Sequence, residues 1–366
     1  MGARGAGLGR FAADLPAVDE FVSLGEGDTP LIPLDVLARR LGLRHLSAKM
    51  ESLNPTGSYK DRVAAMSLSL ARQRGDTGWI ATSSGNAGLA MAAYGTRAGL
   101  PGFLCLVASA PLEKRLPLMP YPIGLVAVDG VGRQSTGTSE SVLFDHVCAA
   151  AERHRLFLGV TAHAFNPDGM RGIDTIGYEL AEQAPDATHV YVPTGGGGLL
   201  VAVARGLRHR NHPARVVVAQ PEGCAPIVRF LDGEVPRPAV DRCDTDISAL
   251  QLPHPPDGQL AADAVLHSRG WGTAADDKAI LSAQRLLAAT EGVFVEPASA
   301  ATVACLLADV ERGRITADDH PVLLMSGAGW KDLGRFAEDV DRLPMVDLAG
   351  VPDRVDAWAA TATTRT

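Results

Sequence analysis

The stretch HVYVPTGGGGLL, residues 189–200, sets a short run of strand character against four consecutive glycines and then an apolar run of helical period. A strand that gives way to a helix through glycines is the unit from which parallel α/β sheets are built. Residues without Cβ also leave several backbone N–H groups at the helix N-terminus free to approach an anion. The run is not a Walker loop, because no Lys-Ser/Thr follows it. It is not a GxGxxG fingerprint with an acidic residue about 20 positions on either. A phosphate monoester suits such a cradle, the alternative being a plain tight turn with no ligand.

Outward from this unit, runs rich in Val, Ile and Leu alternate with helical periodicity from residue 78 onward. Strands are expected at 79–83, 102–108, 124–129, 156–161, 189–193, 215–220, 292–296 and 321–325. Helices are expected at 61–74, 88–98, 138–153, 170–182, 199–208, 276–290, 299–312 and 330–341. The fold class is therefore α/β, with open, mainly parallel sheets flanked by helices. Residues 232–271, rich in Pro and Asp, read as irregular covering structure. Residues 348–366 read as a weakly patterned tail open to disorder, and the first ten residues as a flexible one.

Composition narrows the classes. The 366 residues carry 34 basic and 42 acidic groups, a net charge of -8, with 46% hydrophobic and 5% aromatic residues. That describes a soluble globular chain with volume for two domains or one large α/β unit, and it argues against nucleic acid as a partner. No apolar run reaches membrane-spanning length, and the start lacks the apolar core of a secretory signal. The five cysteines, Cys105, Cys148, Cys224, Cys243 and Cys305, are never spaced as CxxC. No metal site is expected, and a reducing cytoplasm fits best. Only five of the 34 basic residues are lysines, so chemistry that needs an amine has few candidates.

Two further turns stand where an expected strand meets a helix: Thr82-Ser83-Ser84-Gly85-Asn86 and Ser326-Gly327-Ala328-Gly329. In open parallel sheets, ligands bind beyond the carboxyl ends of the strands, so three such turns can converge on one ligand. The segment NPTGSYKDR, residues 54–62, places Lys60 after a turn at a helix start, where the positive dipole end disfavours an ammonium. An imine-forming lysine needs such a setting, whereas an isolated lysine is more often simply solvated.

These segments, with SLNPTGSYKDR, SSGNAG, PTGGGGLL, VEPASAA and MSGAGWKD in that order and GEGDTPLIPL before them, resemble the fold-type II pyridoxal-phosphate enzymes, and threonine synthase most of all. The likeness runs from about Leu24 to Leu333. It implies two open sheets of the tryptophan synthase β type. A large domain would form from residues 1–60 and 161–347, and a smaller mobile one, carrying the Ser-Ser-Gly-Asn loop, from 61–160. It implies pyridoxal 5′-phosphate held by Lys60 as a Schiff base, with Lys60 also moving the Cα proton. By the same likeness Gly195, Gly196, Gly197, Gly198 and Leu199 take the cofactor phosphate, Asn86 its 3′-oxygen, and Ser326 the pyridine nitrogen. Ser83, Ser84 and Ala87 belong to the loop that grips the substrate carboxylate, with Ser84 also a catalytic candidate. Glu296 falls beside the cofactor ring, a buried helix-capping role being the alternative. A hydroxyl at Ser326 leaves the ring nitrogen largely neutral, which favours elimination.

The pattern departs where threonine synthase would grip a substrate phosphate. Ala87 replaces a threonine, His163 and Ala164 replace Asn-Ser, and Gly169 replaces an arginine. Arg171, two positions on, can stand in only with a different local backbone. His163 reads either as a substrate contact or as a satisfied polar residue, Asp168 as a salt-bridged loop residue, and Lys331 and Asp332 as structural. Four glycines at 195–198 are in turn more typical of serine/threonine dehydratases. The expected activity is thus β- or γ-elimination or replacement on a small amino acid, with no membrane partner, and the resemblance implies a homodimer. The alternatives are a dehydratase-type ammonia-lyase, a β-replacement synthase acting on an O-activated serine or threonine, or a silent relative that only binds a phosphorylated metabolite.

Overall fold

The computed structural model describes residues 7–83, 85–108, 110, 112–130 and 138–362. The chain divides into a body that runs to Asp332 and a C-terminal unit from Leu333. In the body, the described strands are β1 Leu31–Pro33, β2 Ser47–Lys49, β3 Gly78–Thr82, β4 Gly102–Val107, β5 Gly124–Val128, β6 Leu156–Leu158, β7 His189–Pro193, β8 Arg215–Pro221, β9 Gly272–Ala275 and β10 Pro321–Leu324. They form a six-stranded sheet of order β1-β2-β10-β7-β8-β9 and a four-stranded sheet of order β5-β4-β3-β6. Every pairing is parallel except β1 with β2.

The central strands are apolar throughout because both faces of the larger sheet are covered. Val190 and Val192 of β7, Val216 and Val218 of β8, and Val322 and Leu324 of β10 enter one core. The alternate residues Tyr191, Val217, Ala219 and Leu323 enter another. The pleat sends successive side chains to opposite faces, so a strand buried on both sides shows no polar alternation. Each fully buried Val or Leu contributes about 1.5–3 kcal/mol, which makes these strands the anchor of the fold.

Five helices position the site: α1 Lys60–Arg74, α2 Asn86–Ala98, α3 Gly198–His209, α4 Gly258–His267 and α5 Pro297–Glu311. The first, α1, is buried continuously from Asp61 to Ala71. Its Arg62 lies at the centre of a dry ionic cluster. Nε and Nη2 donate to Glu51 at 2.8 and 2.7 Å, Nη1 and Nη2 donate to Glu179 at 2.6 and 2.8 Å, and Lys49 Nζ donates to Glu179 Oε2 at 2.5 Å. These cations hold the Glu179 carboxyl down at about 2 despite its burial. One turn of helix therefore carries Lys60 at its start and an ionic anchor two residues on.

Several expectations change. The segment at 292–296 is no strand; only Val295 bridges to Ala328. The covering region contains helix α4, whose apolar positions Ala261, Ala262 and Val265 face the core. The helix expected at 330–341 is a 3-10 stretch, Gly329–Phe336, broken at Asp332 by a φ of -143°, followed by a short α-helix, Ala337–Asp341. The C-terminal unit carries a helix at Val351–Ala362, where an Ala/Thr-rich pattern gave little period. Among the described residues no helix is long and apolar enough to cross a membrane, and no cluster of His, Cys, Asp and Glu could hold a metal.

Candidate active site

Strands β10 and β7 are parallel neighbours, so the turns that follow them emerge side by side. The carboxyl end of β3 leads through Ser83 to the start of α2. Residues from all three turns line one cavity of about 440 Å³, and Lys60 at the start of α1 lines it as well. The covering region contributes residues from Ser248 to Leu252 and Pro256.

At the four-glycine turn, no described residue accepts a hydrogen bond from the backbone N–H groups of Gly195 to Leu199. Five unpaired donors at the head of α3 make a cradle for an anion, which the positive end of the helix reinforces. Gly197 has a φ of +91°, and a Cβ there would stand 2.7 Å from the Asp257 carbonyl oxygen. The same loop is held from the other side, because Asp257 N donates to Gly196 O at 2.9 Å. At Gly196 an added Cβ meets nothing closer than Pro256 Cδ at 3.5 Å.

Lys60 is half-buried. Its Nζ donates to Thr161 Oγ1 at 2.7 Å and lies 4.8 Å from the centre of the Tyr59 ring. Thr161 was not singled out by sequence, since nothing local marks a residue that the fold brings from 101 positions away. Beside Lys60, Asp61 accepts from Thr56 N at 2.6 Å and from Thr56 Oγ1. Burial still pushes its carboxyl up to about 7.

A polar chain crosses the cavity floor. Asn86 Nδ2 donates to Glu296 Oε2 at 3.0 Å, Ser326 Oγ donates to Glu296 Oε1 at 3.1 Å, and Ser299 Oγ lies 3.0 Å from Ser326 Oγ. Glu296 occupies the N-cap position of α5, but its side chain makes no capping hydrogen bond. Its carboxylate instead packs flat on the next turn, where a Cβ on Gly327 would fall 2.4 Å from Glu296 Cδ. Lys331 Nζ donates to Asn86 Oδ1 at 2.7 Å. Burial holds the Lys331 amine down to about 8, against the pull of Glu296 and Asp61.

Lys60, Ser83, Asn86, Ala87, Gly195 to Gly198, Leu199, Glu296 and Ser326 thus share one cavity. Ser83 Oγ is engaged, accepting from Gly85 N at 3.3 Å and Gly88 N at 3.0 Å, so it braces the head of α2. Ser84 lies outside the described residues. The structure corrects the expectation for Arg171 and favours the second of the two readings of His163. Arg171 turns away to Asp174, with Nε donating at 2.6 Å, and to Asp14 O. His163 is drawn to Asp257, through its backbone N and an Nδ1 contact at 3.1 Å, and borders a separate groove along α3. Arg171 is claimed by a carboxylate three residues on, an i,i+3 pair visible in sequence, whereas the His163 partner lies 94 positions away. Asp168 pairs with Arg74 at 3.0 Å, as a loop residue should. Lys331, read as structural from sequence, proves to be buried against the cavity lining.

The donor set fits a phosphorylated pyridine aldehyde. It offers an amine for the aldehyde, unpaired N–H groups for the phosphate, and an amide and a hydroxyl for polar atoms of the ring. A family model described as "Pyridoxal-phosphate dependent enzyme" matches residues 22–327. Threonine synthase of Methanosarcina acetivorans is 32% identical over 335 residues, covering 88% of this chain and 80% of that protein. Threonine synthase of Halalkalibacterium halodurans is 32% identical over 358 residues, covering 93% of each. Maize serine racemase shares the fold with a TM-score of 0.72 at 24% identity, covering 86% of this chain and 92% of that one. The chain belongs to the fold-type II pyridoxal-phosphate-dependent enzymes, a family of eliminations and replacements on amino acids, and pyridoxal 5′-phosphate is its cofactor.

Proposed function

We propose that the chain is a pyridoxal-phosphate-dependent lyase of the threonine synthase type, which removes or replaces a β or γ substituent of a small amino acid. The observation that carries this reading is the single cavity in which Lys60 faces the unpaired N–H groups of Gly195 to Leu199. Pyridoxal phosphate bound there supplies a sink for the electrons released at Cα. In this reading the glycine turn holds its phosphate, Lys60 Nζ its aldehyde carbon, Asn86 its ring oxygen and Ser326 its ring nitrogen. Lys60 then takes the Cα proton, and Thr161 Oγ1, 2.7 Å away, holds the amine while it is released from the cofactor during turnover. Ser83 and Ala87 lie at the head of α2, where helix N–H groups suit the substrate carboxylate, and the same role is assigned to Ser84 by the resemblance.

The leaving group is set by what surrounds it. Among the described residues no arginine lines the cavity, and Lys114 is its one cation besides Lys60. Lys114 Nζ donates to Ser248 Oγ at 2.5 Å and is the group available to meet an anionic leaving group. The second reading is a serine/threonine ammonia-lyase, favoured by Ala87 and by the absence of Arg171 from the cavity. An amino-acid panel followed by cofactor absorbance and product analysis separates them. Turnover of an O-phospho amino acid, lowered by Lys114→Met, supports the first. Ammonia and a 2-oxo acid from serine or threonine, indifferent to Lys114→Met, support the second, and an O-activated serine that gains a nucleophile would point to β-replacement. No turnover with any of them refutes the lyase reading.

The same proposal makes the enzyme a cytoplasmic homodimer that uses no nucleic acid or membrane. It makes segment 61–160, which holds all four strands of the smaller sheet, a unit that closes on substrate. Size-exclusion chromatography with light scattering tests the dimer, and substrate-dependent protection of that segment from hydrogen exchange tests the closure.

A further inference from the structure

Asn86 can present its amide to the cavity in two senses, and only one makes it a donor there. Two neighbours decide the sense. Lys331 is an ammonium and can only donate; it meets Oδ1 at 2.7 Å. Glu296 is a carboxylate acceptor and meets Nδ2 at 3.0 Å. The amide is thereby pinned with its carbonyl toward Lys331, and one of its two Nδ2 hydrogens remains for the cavity that Asn86 lines. A flipped amide would set its NH₂ against the ammonium and its carbonyl against the carboxylate.

The surroundings hold Lys331 in this post. It is buried, and the turn ahead of Lys60 shapes its berth, since a Cβ on Gly57 (φ +80°) would stand 3.1 Å from Lys331 Cε. Glu296 and Asp61 favour its charge, Lys114 and burial oppose it, and its pKa near 8 leaves it protonated at neutral pH. Neither Lys331 nor its chain neighbours line the cavity, so it acts through Asn86 rather than on substrate.

We propose that Lys331 is a positioning residue of the cofactor site, which fixes the amide sense of Asn86 so that a hydrogen-bond donor faces the oxygen of the bound pyridine ring. The inference rests on the reading that Asn86 serves that oxygen, and the test keeps the two apart. Cofactor dissociation constants are measured by absorbance titration for the wild type, Lys331→Met, Lys331→Gln, Asn86→Ala and the Lys331→Met/Asn86→Ala pair.

Losing one charge-assisted bond should weaken cofactor binding about tenfold in Lys331→Met. The same change in the Asn86→Ala background should matter less than about twofold, because the effect travels through the amide. Lys331→Gln, which keeps a donor, should fall between the wild type and Lys331→Met. An equal loss in both backgrounds, or none in the first, overturns the proposal. If Lys331→Met does not fold, Lys331→Gln and a Lys331→Gln/Asn86→Ala pair carry the same comparison in both backgrounds. If Asn86→Ala alone leaves binding unchanged, the role given to Asn86 fails first and the proposal with it.

Discussion

Two adjacent glycines of the cradle should respond to the same substitution in opposite ways. At Gly197, alanine would have to adopt a φ of +91°, and its Cβ would lie 2.7 Å from the Asp257 carbonyl oxygen and 3.2 Å from Ala261 Cβ. The left-handed conformation costs about 1–2 kcal/mol for an L-residue, and overpacking against backbone adds about 1–3 kcal/mol. Gly197→Ala should therefore destabilise the cofactor-free protein by about 2–5 kcal/mol, a large share of a typical folding stability of about 5–15 kcal/mol. At Gly196 the nearest atom to a new Cβ is Pro256 Cδ at 3.5 Å, an ordinary contact. Gly196→Ala should leave the cofactor-free stability within about 1 kcal/mol, since it asks for no special backbone and even trims unfolded-state entropy. Its methyl instead stands beside the unpaired N–H groups and should weaken cofactor binding by at least tenfold, the loss of about one hydrogen bond to a charged group. Urea denaturation of the cofactor-free variants gives the first quantity and absorbance titration gives the second. A Gly196→Ala protein that binds cofactor like the wild type would refute the cradle, and an undiminished Gly197→Ala midpoint would refute the packing argument.

Three further outcomes follow from the same geometry. Arg62→Met leaves Glu51 and Glu179 buried with Lys49 as their only cation, and should cost about 3–5 kcal/mol in urea denaturation; a loss below about 1 kcal/mol would contradict the reading of the cluster. Asp61 titrates near 7 when folded against 3.8 in the unfolded chain, so between those pH values the folded state holds a proton that the unfolded state has released. Stability should accordingly fall as pH rises from about 4 to about 7, and Asp61→Asn should flatten that slope in pH-dependent denaturation curves. Thr161→Val removes the acceptor of Lys60 Nζ and should lower kcat about tenfold while leaving cofactor content near the wild-type level.

The three central strands of the larger sheet were legible because β7, β8 and β10 are covered on both faces and must be apolar throughout, a pattern that survives in sequence. Strands β1 and β2, three residues each, are too short to show any period. Residues 292–296 carry strand composition, yet Val295 makes only a bridge to Ala328, so the composition served packing into the core. The turns of the site were legible because Gly and Ser mark backbone geometry locally. Its supporting side chains were not. Arg171 has an i,i+3 partner in Asp174 that sequence offers, but its contact to Asp14 and the pairing of His163 with Asp257 are chosen by the fold. Lys331 looked like one more helix-opening cation until burial and Asn86 gave it a place.

The account turns on which amine carries the cofactor. Lys60 lines the cavity and Lys331, a second buried amine, touches only its wall, so the two give different answers to one measurement. The holoenzyme is reduced with borohydride, digested, and mapped by mass spectrometry for the peptide that carries the pyridoxyl adduct. The adduct is expected on Lys60 and should be absent from Lys60→Ala; an adduct on Lys331, or none on any lysine, would contradict the central claim.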